Sequence, residues 1–295
     1  MAIKNKISEL TIEDEEVLEK NLVWIFGSAR SGTTWLADQL LSFNTKIINE
    51  PHITEFLDMS AHHKHPEISR SYDEFKKNPN YFFSDEYKNT WNYYLRKLIL
   101  NRFHVEARDL SKRIIVKEPG GLGASDIISK CLPNCKMIIM IRDPRDIIDS
   151  IWDGTQKNGF MSKLTAVTPK HKKDRINFIR GQSRWWIKLM ENLLETYKKQ
   201  SRNKVIQVRY EEIRNNTFDI LKRIYQFLEI EIKDETIEEI ICKYSFKNIP
   251  SSQKGSGKFF RSASPGKWKE NFSDDEKNIM NEIMSNTLKK LGYTI

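Results

Sequence analysis

The stretch GSARSGTTWL, residues 27–36, follows the apolar run LVWIF and carries hydroxyls at Ser31, Thr33 and Thr34 around Gly32. A glycine-rich turn between a strand and a helix aims backbone N–H groups at one point, where the helix dipole also favours an anion. That is the chemistry of a phosphate cradle, to which the hydroxyls add side-chain donors. A nucleoside-triphosphate loop has a lysine directly after its second glycine to meet the outer phosphates. Here Thr33 holds that place, and Arg30 supplies a cation three positions earlier. No apolar strand ends in an aspartate suited to hold Mg²⁺ for this loop. The loop suits a phosphate, with the cation moved to a different task.

A second cluster, MIIMIRDPRDIIDSIW, puts Arg142 at the end of an apolar run, followed by Asp143-Pro144 and a helical pattern. Proline fits the first turn of a helix, where its missing N–H costs little. Arg142 and Ser150 lie eight residues apart, about two helical turns, and can reach one phosphate if the chain bends at Asp143-Pro144. A surface pairing of Arg142 with Asp143 or Asp146 is the other reading of the same residues.

These groups need a frame. Short apolar runs alternate with longer stretches of helical period, the pattern of a parallel sheet with crossover helices. Strands are expected at 22–26, 113–117, 137–141 and 204–208, with a short one at 46–48. Trp35, Leu36, Leu40 and Phe43 recur at helical spacing, so the loop opens into a helix. Further helices are expected at 174–199, 216–228 and 273–291, with Asn216 and Ser273 as N-caps and Trp185 and Trp186 in the core. Three segments break the rhythm. Residues 52–104 are aromatic and histidine-rich, 153–173 are rich in Gly, Thr, Lys and Pro, and 251–267 are rich in Ser, Gly and Lys. Insertions gathered near strand ends are natural walls for a site, although the aromatics from Tyr72 to Phe103 would look the same as helix core.

The 295 residues hold no Gly/Ser linker, Pro-rich tract or repeat, so one domain over 1–295 is expected. The net charge of +9, from 49 basic and 40 acidic residues, is spread along the chain. It therefore speaks against nucleic-acid binding and suits a small polyanion. Cys131, Cys135 and Cys242 form neither a zinc site nor a disulfide framework, and read as buried free thiols of a reducing compartment. His62, His63 and His65 lack a further ligand, so no metal is expected. The charged N-terminus and the absence of an apolar run of membrane-spanning length lead to a cytoplasmic location as the expectation.

Taken together, the motifs resemble the sulfotransferases that use 3′-phosphoadenosine 5′-phosphosulfate (PAPS) and release the bisphosphate PAP. GSARSGTTW matches that family's loop for the 5′-phosphosulfate, and RDPRDIIDS its 3′-phosphate element. RYEEI, 209–213, looks like the segment whose tyrosine, here Tyr210, lies near the adenine. YSFKNIP resembles the segment whose phenylalanine, here Phe246, clamps the base opposite Trp35. RSASPGKWKENF resembles the C-terminal RKGxxGDWKxxF motif, matching at Arg261, Gly266, Trp268, Lys269 and Phe272 but not at Ser262, Ala263 or Lys267. The resemblance implies a P-loop-like three-layer α/β/α fold with a central parallel sheet. Residues 52–104 and 153–173 would face the acceptor, and 251–272 would close over the cofactor. It assigns Ser31, Gly32, Thr33 and Thr34 to the 5′-phosphate, and Arg142, Ser150, Arg261 and Gly266 to the 3′ side. Arg30, an arginine as in the tyrosylprotein and carbohydrate branches, would stabilise charge on the leaving bridge.

A sulfuryl transfer to a hydroxyl or amine also needs a base. The cytosolic branch takes a histidine from a Lys-Thr-His element, but here that place reads IVKEPGG, with Lys117 in register and Pro119 at the histidine position. Lys117 could neutralise a sulfuryl oxygen or simply pair with a carboxylate. Glu50, in INEPHI, resembles the carbohydrate branch's Glu-Pro segment and would serve best if partly buried. His52 and Glu118 are the alternatives. The acceptor is expected to be a small molecule, carbohydrate, peptide or lipid-linked alcohol. A non-catalytic PAP-binding protein and, less so, a nucleotide kinase are the rival readings.

Overall fold

A computed structural model describes residues 10–41, 44–57, 77–82, 84–119, 124–162 and 172–295. Phe43, Tyr72, the His62, His63 and His65 cluster, and much of 52–83 and 163–171 lie outside those residues. The strands are β1 (Leu22–Gly27), β2 (Thr45–Asn49), β3 (Arg113–Lys117), β4 (Lys136–Ile141) and β5 (Val205–Arg209). They form one parallel sheet in the order β2-β3-β1-β4-β5. Every strand end falls within one residue of the position expected from sequence.

A parallel sheet covered on both faces needs apolar side chains in both directions, and β1 supplies them, every residue being buried. Trp24, level with Val116 and Met137 across the ladder, points to one face with Phe26. There α1 (Ile12–Asn21), the long helices Lys88–Ala107 and Lys172–Lys199, and Asp274–Lys290 supply Leu18, Phe103, Trp186 and Met284. Val23 and Ile25 point to the other face, against Leu36, Ile213, Ile224 and Ile237 from the helices after β1 and β5. The result is the three-layer α/β/α arrangement with one apolar cluster on each side of the sheet.

Ser273 caps the last helix with a reciprocal bond to Glu276, as its position suggested. Asn216 differs: it stands at the cap position, yet its side chain donates to the Asp219 carboxylate and leaves the helix N–H groups alone. Trp186 is in the core, but Trp185 is 39% exposed, because neighbouring residues on a helix point about 100° apart and only one can face the sheet. The helix Lys88–Ala107 settles the double reading of the aromatic insertion for its described part. Trp91 and Phe103 are core, while Tyr93 and Tyr94 face outward.

Cys131 and Cys135 are buried free thiols and Cys242 is exposed, which corrects the expectation for the third. Burial pushes the Cys131 thiol up to about 12 and raises Cys135 as well; a protonated, enclosed thiol is a poor nucleophile. A disulfide-exchange reagent is therefore expected to modify Cys242 alone in the native protein and all three cysteines once guanidinium unfolds it. Rapid native modification of a second thiol would contradict this packing.

Candidate active site

β1 ends at Gly27, and the chain turns through 28–32 into α2 (Thr33–Gln39). The turn leaves no room at either glycine. A Cβ on Gly27 would lie 2.7 Å from Ser31 Oγ and 2.9 Å from the Met140 carbonyl oxygen. Gly32 has φ +97°, a conformation that suits glycine, and a Cβ there would stand 2.6 Å from the Tyr210 ring. Ser31 is fully buried, and its Oγ has no partner among the described residues. A buried hydroxyl left over in such a turn is the kind of donor that a bound oxyanion would satisfy.

The loop forms the floor of a cavity of about 480 Å³ along the carboxyl ends of the strands. The crossover leaving β1 runs outward to β2, and that leaving β3 runs the other way to β4. Their loops part there and open the crevice. Arg30, Gly32, Thr33, Thr34 and Trp35 line it from the loop, with Glu50 and His52 after β2 and Glu118 after β3. Arg142 and Ser150 line it from β4 and the helix that follows, Tyr210 from the end of β5, and Phe246 and Arg261 from the C-terminal region. Three expected site residues are not on its surface. Ser31 lies beneath it, Lys117 is 3% exposed at the end of β3, and Gly266 gives its N–H to the buried Asp146 carboxylate at 2.7 Å.

Arg30 stands at the centre. Its backbone is left-handed (φ 69°), its Nε donates to Ser150 Oγ at 3.1 Å, and its Nη2 donates to the Phe259 carbonyl. The guanidinium sits against the edge-to-face pair Phe160 and Phe259, 4.7 and 4.8 Å from their centroids. Burial, then the charges of Arg142 and Arg261, pull its pKa down to about 10, so it stays protonated at neutral pH. Arg142 donates to the Arg30 carbonyl at 2.8 Å and stacks 4.3 Å from the Tyr210 ring centre. It pairs with neither Asp143 nor Asp146: Asp143 holds Arg145 through both oxygens at 2.9 Å, and Asp146 caps Gly266 and Trp268. The expected Arg142–Ser150 pair is thus bridged by Arg30.

The β2–β3 end is acidic. Glu50 pairs with Lys117, with 47% of its side chain exposed. Glu118 is 2% exposed and accepts the Thr54 N–H at 2.9 Å. Of the seven non-glycine residues with positive φ among those described, Arg30, Glu50, His52 and Ala263 line this one cavity. Each such backbone costs about 1–3 kcal/mol and persists where surrounding structure enforces it.

Three features escape a reading of local pattern. Phe160, Met161, Phe259 and Phe260 form an apolar wall, joined by the Phe160 N–H to Gly257 carbonyl bond of 2.9 Å. Arg214 also lines the cavity, 5.2 Å from the Trp35 ring centre. Asp146, Asp149 and Asp153, on one face of the helix Pro144–Thr155, each hold part of 256–271. Their i, i+3, i+7 spacing was the available signal. No described residue of 53–104 lines the cavity, so there the expected acceptor wall is His52 alone. Among the described residues no three or more His, Cys, Asp or Glu are grouped to hold a metal.

A family model described as the sulfotransferase domain matches residues 20–292. Sulfotransferase 6B1 of Danio rerio is 26% identical over 160 residues, 52% of each chain. Cytosolic sulfotransferase 12 of Arabidopsis thaliana is 29% identical over 156 residues, 48% of this chain and 46% of that one. The chain thus spans about half the length of these curated relatives. Mouse sulfotransferase SULT7A1 complexed with PAP has the same fold, with a TM-score of 0.55 at 15% identity over 95% of this chain and 91% of that one. The sulfotransferase domain of the Synechococcus PCC 7002 olefin synthase gives 0.53 at 16% identity, over 93% and 95%.

Gly32→Ala tests the loop geometry. The left-handed backbone and the Tyr210 ring both oppose the new Cβ, so PAP affinity by calorimetry is expected to fall at least about tenfold, with a stability loss of about 1–3 kcal/mol. An unchanged affinity would mean that the loop does not form the anion site.

Proposed function

Because the chain belongs to the sulfotransferase family, we propose that it transfers the sulfuryl group of PAPS to a hydroxyl or amine acceptor and releases PAP. The observation that carries this reading is the convergence of Arg30, Arg142 and Arg261 on a cavity floored by a glycine loop without a lysine. Such a site suits a ligand with phosphates at two ends and no γ-phosphate to grip.

In this reading the loop N–H groups, Ser31, Thr33 and Thr34 hold the 5′-phosphate. Arg142, Ser150 and Arg261 hold the 3′-phosphate, and Trp35, Tyr210 and Phe246 hold the adenine. Gly266 acts through Asp146, to which its N–H is already committed. Arg30, charged at neutral pH, stabilises the negative charge that grows on the bridging oxygen as its bond to sulfur breaks. The acceptor oxygen forms the new bond to sulfur in line, and Glu50 takes its proton. Lys117 orients Glu50 through their ion pair and brings a positive charge to the same end of the cavity.

Among the acceptor classes considered from sequence, the wall of Phe160, Met161, Phe259 and Phe260 favours one with an apolar body beside its hydroxyl. Among the described residues no helix is long and apolar enough to cross a membrane. The proposed place of action, the cytoplasm, draws on the relatives named cytosolic.

Thermal unfolding with PAP, PAPS, ATP and GTP side by side tests the donor. At one hundred times its Kd a ligand adds about 2.7 kcal/mol, a shift of several degrees, and the 3′-phosphorylated pair is expected to produce it. Stabilisation by ATP with Mg²⁺ alone would overturn the reading in favour of a kinase. For the base, Glu50→Gln is expected to lower kcat by about 10²–10⁴ while PAP affinity stays within twofold. Unchanged transfer would move the role to His52 or Glu118, whose own variants would then show the loss.

A further inference from the structure

Arg261 reaches the cavity from a segment that belongs to no long helix or strand, 256–267. Its aim is set from the opposite side. Nη2 donates to the Asp149 carboxylate and Nη1 to the Asp149 backbone carbonyl at 3.2 Å, with the two side chains 12% and 4% exposed. The same carboxylate oxygen accepts Asn271 Nδ2 at 2.9 Å. Asp149 is the middle member of a row in which Asp153 takes Ser256 Oγ at 2.6 Å and the Gly257 N–H at 2.7 Å. Asp146 takes the N–H groups of Gly266 and Trp268 at 2.7 and 3.3 Å. Asp146 and Asp153 therefore grip backbone and hydroxyl, and of the three only Asp149 bonds a cation of the cavity.

Resting on the PAPS reading above, we propose that Asp149 is a positioning residue. It fixes the Arg261 guanidinium in the orientation that receives the 3′-phosphate, so that preference for the 3′-phosphorylated nucleotide depends on a carboxylate that touches no ligand. The physical reasons are two. A free arginine side chain gives up rotamer entropy when ordered, and the two-point contact with Asp149 meets that cost before any ligand arrives. Arg261 is also one of three like charges near one another, since it depresses the Arg30 pKa. Without a counter-charge it would swing away from the other two. The two contacts leave further guanidinium N–H donors for an anion. Asp149 stands immediately before Ser150, so one turn of helix carries both a cavity hydroxyl and the anchor of the facing arginine.

The test compares PAP with AMP, which differ only in the 3′-phosphate, by titration calorimetry on wild type, Asp149→Asn, Arg261→Gln and the double variant. Asp149→Asn is expected to weaken PAP by about 10- to 100-fold, the range of a lost hydrogen bond to a charged group, and to leave AMP within about twofold. Adding Arg261→Gln should then cost little more, because the pair acts as a unit. Ser256→Ala, which loosens the same segment from Asp153 without removing a charge near Arg261, should not change the PAP-to-AMP ratio. Equal weakening of both nucleotides by Asp149→Asn would show a merely structural residue and overturn the proposal. So would tighter PAP binding, which would mean that Asp149 opposes the anion. A wild type that does not prefer PAP over AMP would instead remove the PAPS reading on which the proposal stands.

Discussion

Arg30, Arg142 and Arg261 share one partly enclosed cavity, and the second and third are near enough to lower the pKa of the first. Three guanidinium groups repel one another strongly where water is scarce, so the fold must hold them before any anion arrives. Each is held differently. Arg30 lies against a pair of phenylalanine rings and donates to Ser150 and a backbone carbonyl. Arg142 stacks on Tyr210 and donates to the Arg30 carbonyl. Only Arg261 has a full counter-charge, in Asp149. Neutral acceptors and aromatic faces keep most of the positive potential available to a ligand, whereas a carboxylate for every arginine would cancel it.

That requirement explains the arrangement of the chain around the sheet. The apolar central strands are buried on both faces, and the five strand ends set Glu50, Lys117, Gly27, Arg142 and Tyr210 along one edge. At about 4.8 Å per strand, that edge separates the acidic β2–β3 end from the arginine-rich end at β4 and β5. The glycine loop at the central strand then lies between Glu50 and Lys117 on one side and Arg142 and Tyr210 on the other. The C-terminal segment completes the cavity from above, and the aspartate row on Pro144–Thr155 fixes its height and register.

Much of this was legible in the sequence because strands and phosphate loops announce themselves locally. The runs around Ile25, Ile115 and Ile139 give the sheet, and GSARSGTT gives the tight glycine turn that floors the cavity. Contacts across the chain do not announce themselves. Asp149 and Arg261 are 112 residues apart, and nothing in RDPRDIIDS alone says that Asp146 grips distant backbone N–H groups and Asp149 a distant arginine, instead of the adjacent Arg142. Trp185 and Trp186 are alike in pattern, and only the packed face of the helix separates them. Glu50 shows the same limit from the other side. Its place after β2 was readable, but its pairing with Lys117 depends on the register of β2 against β3, where Asn49 stands level with Lys117.

The missing loop lysine is accounted for by the same geometry. Thr33 is 3% exposed, and its Cγ2 would lie 2.9 Å from a Cβ on Gly27, so its side chain points into the turn. A cation at that position would have to leave along the cavity floor, toward the far end of a triphosphate. Arg30, at the apex of the loop with a left-handed backbone, projects instead to the side of Ser150 and the Phe259 carbonyl. Moving the charge by three residues therefore moves it from the turn beneath the cavity to the cavity's flank. For the sulfuryl transfer proposed above, a charge on that flank would stand beside the breaking bond, with Glu50 at the opposite end of the strand edge.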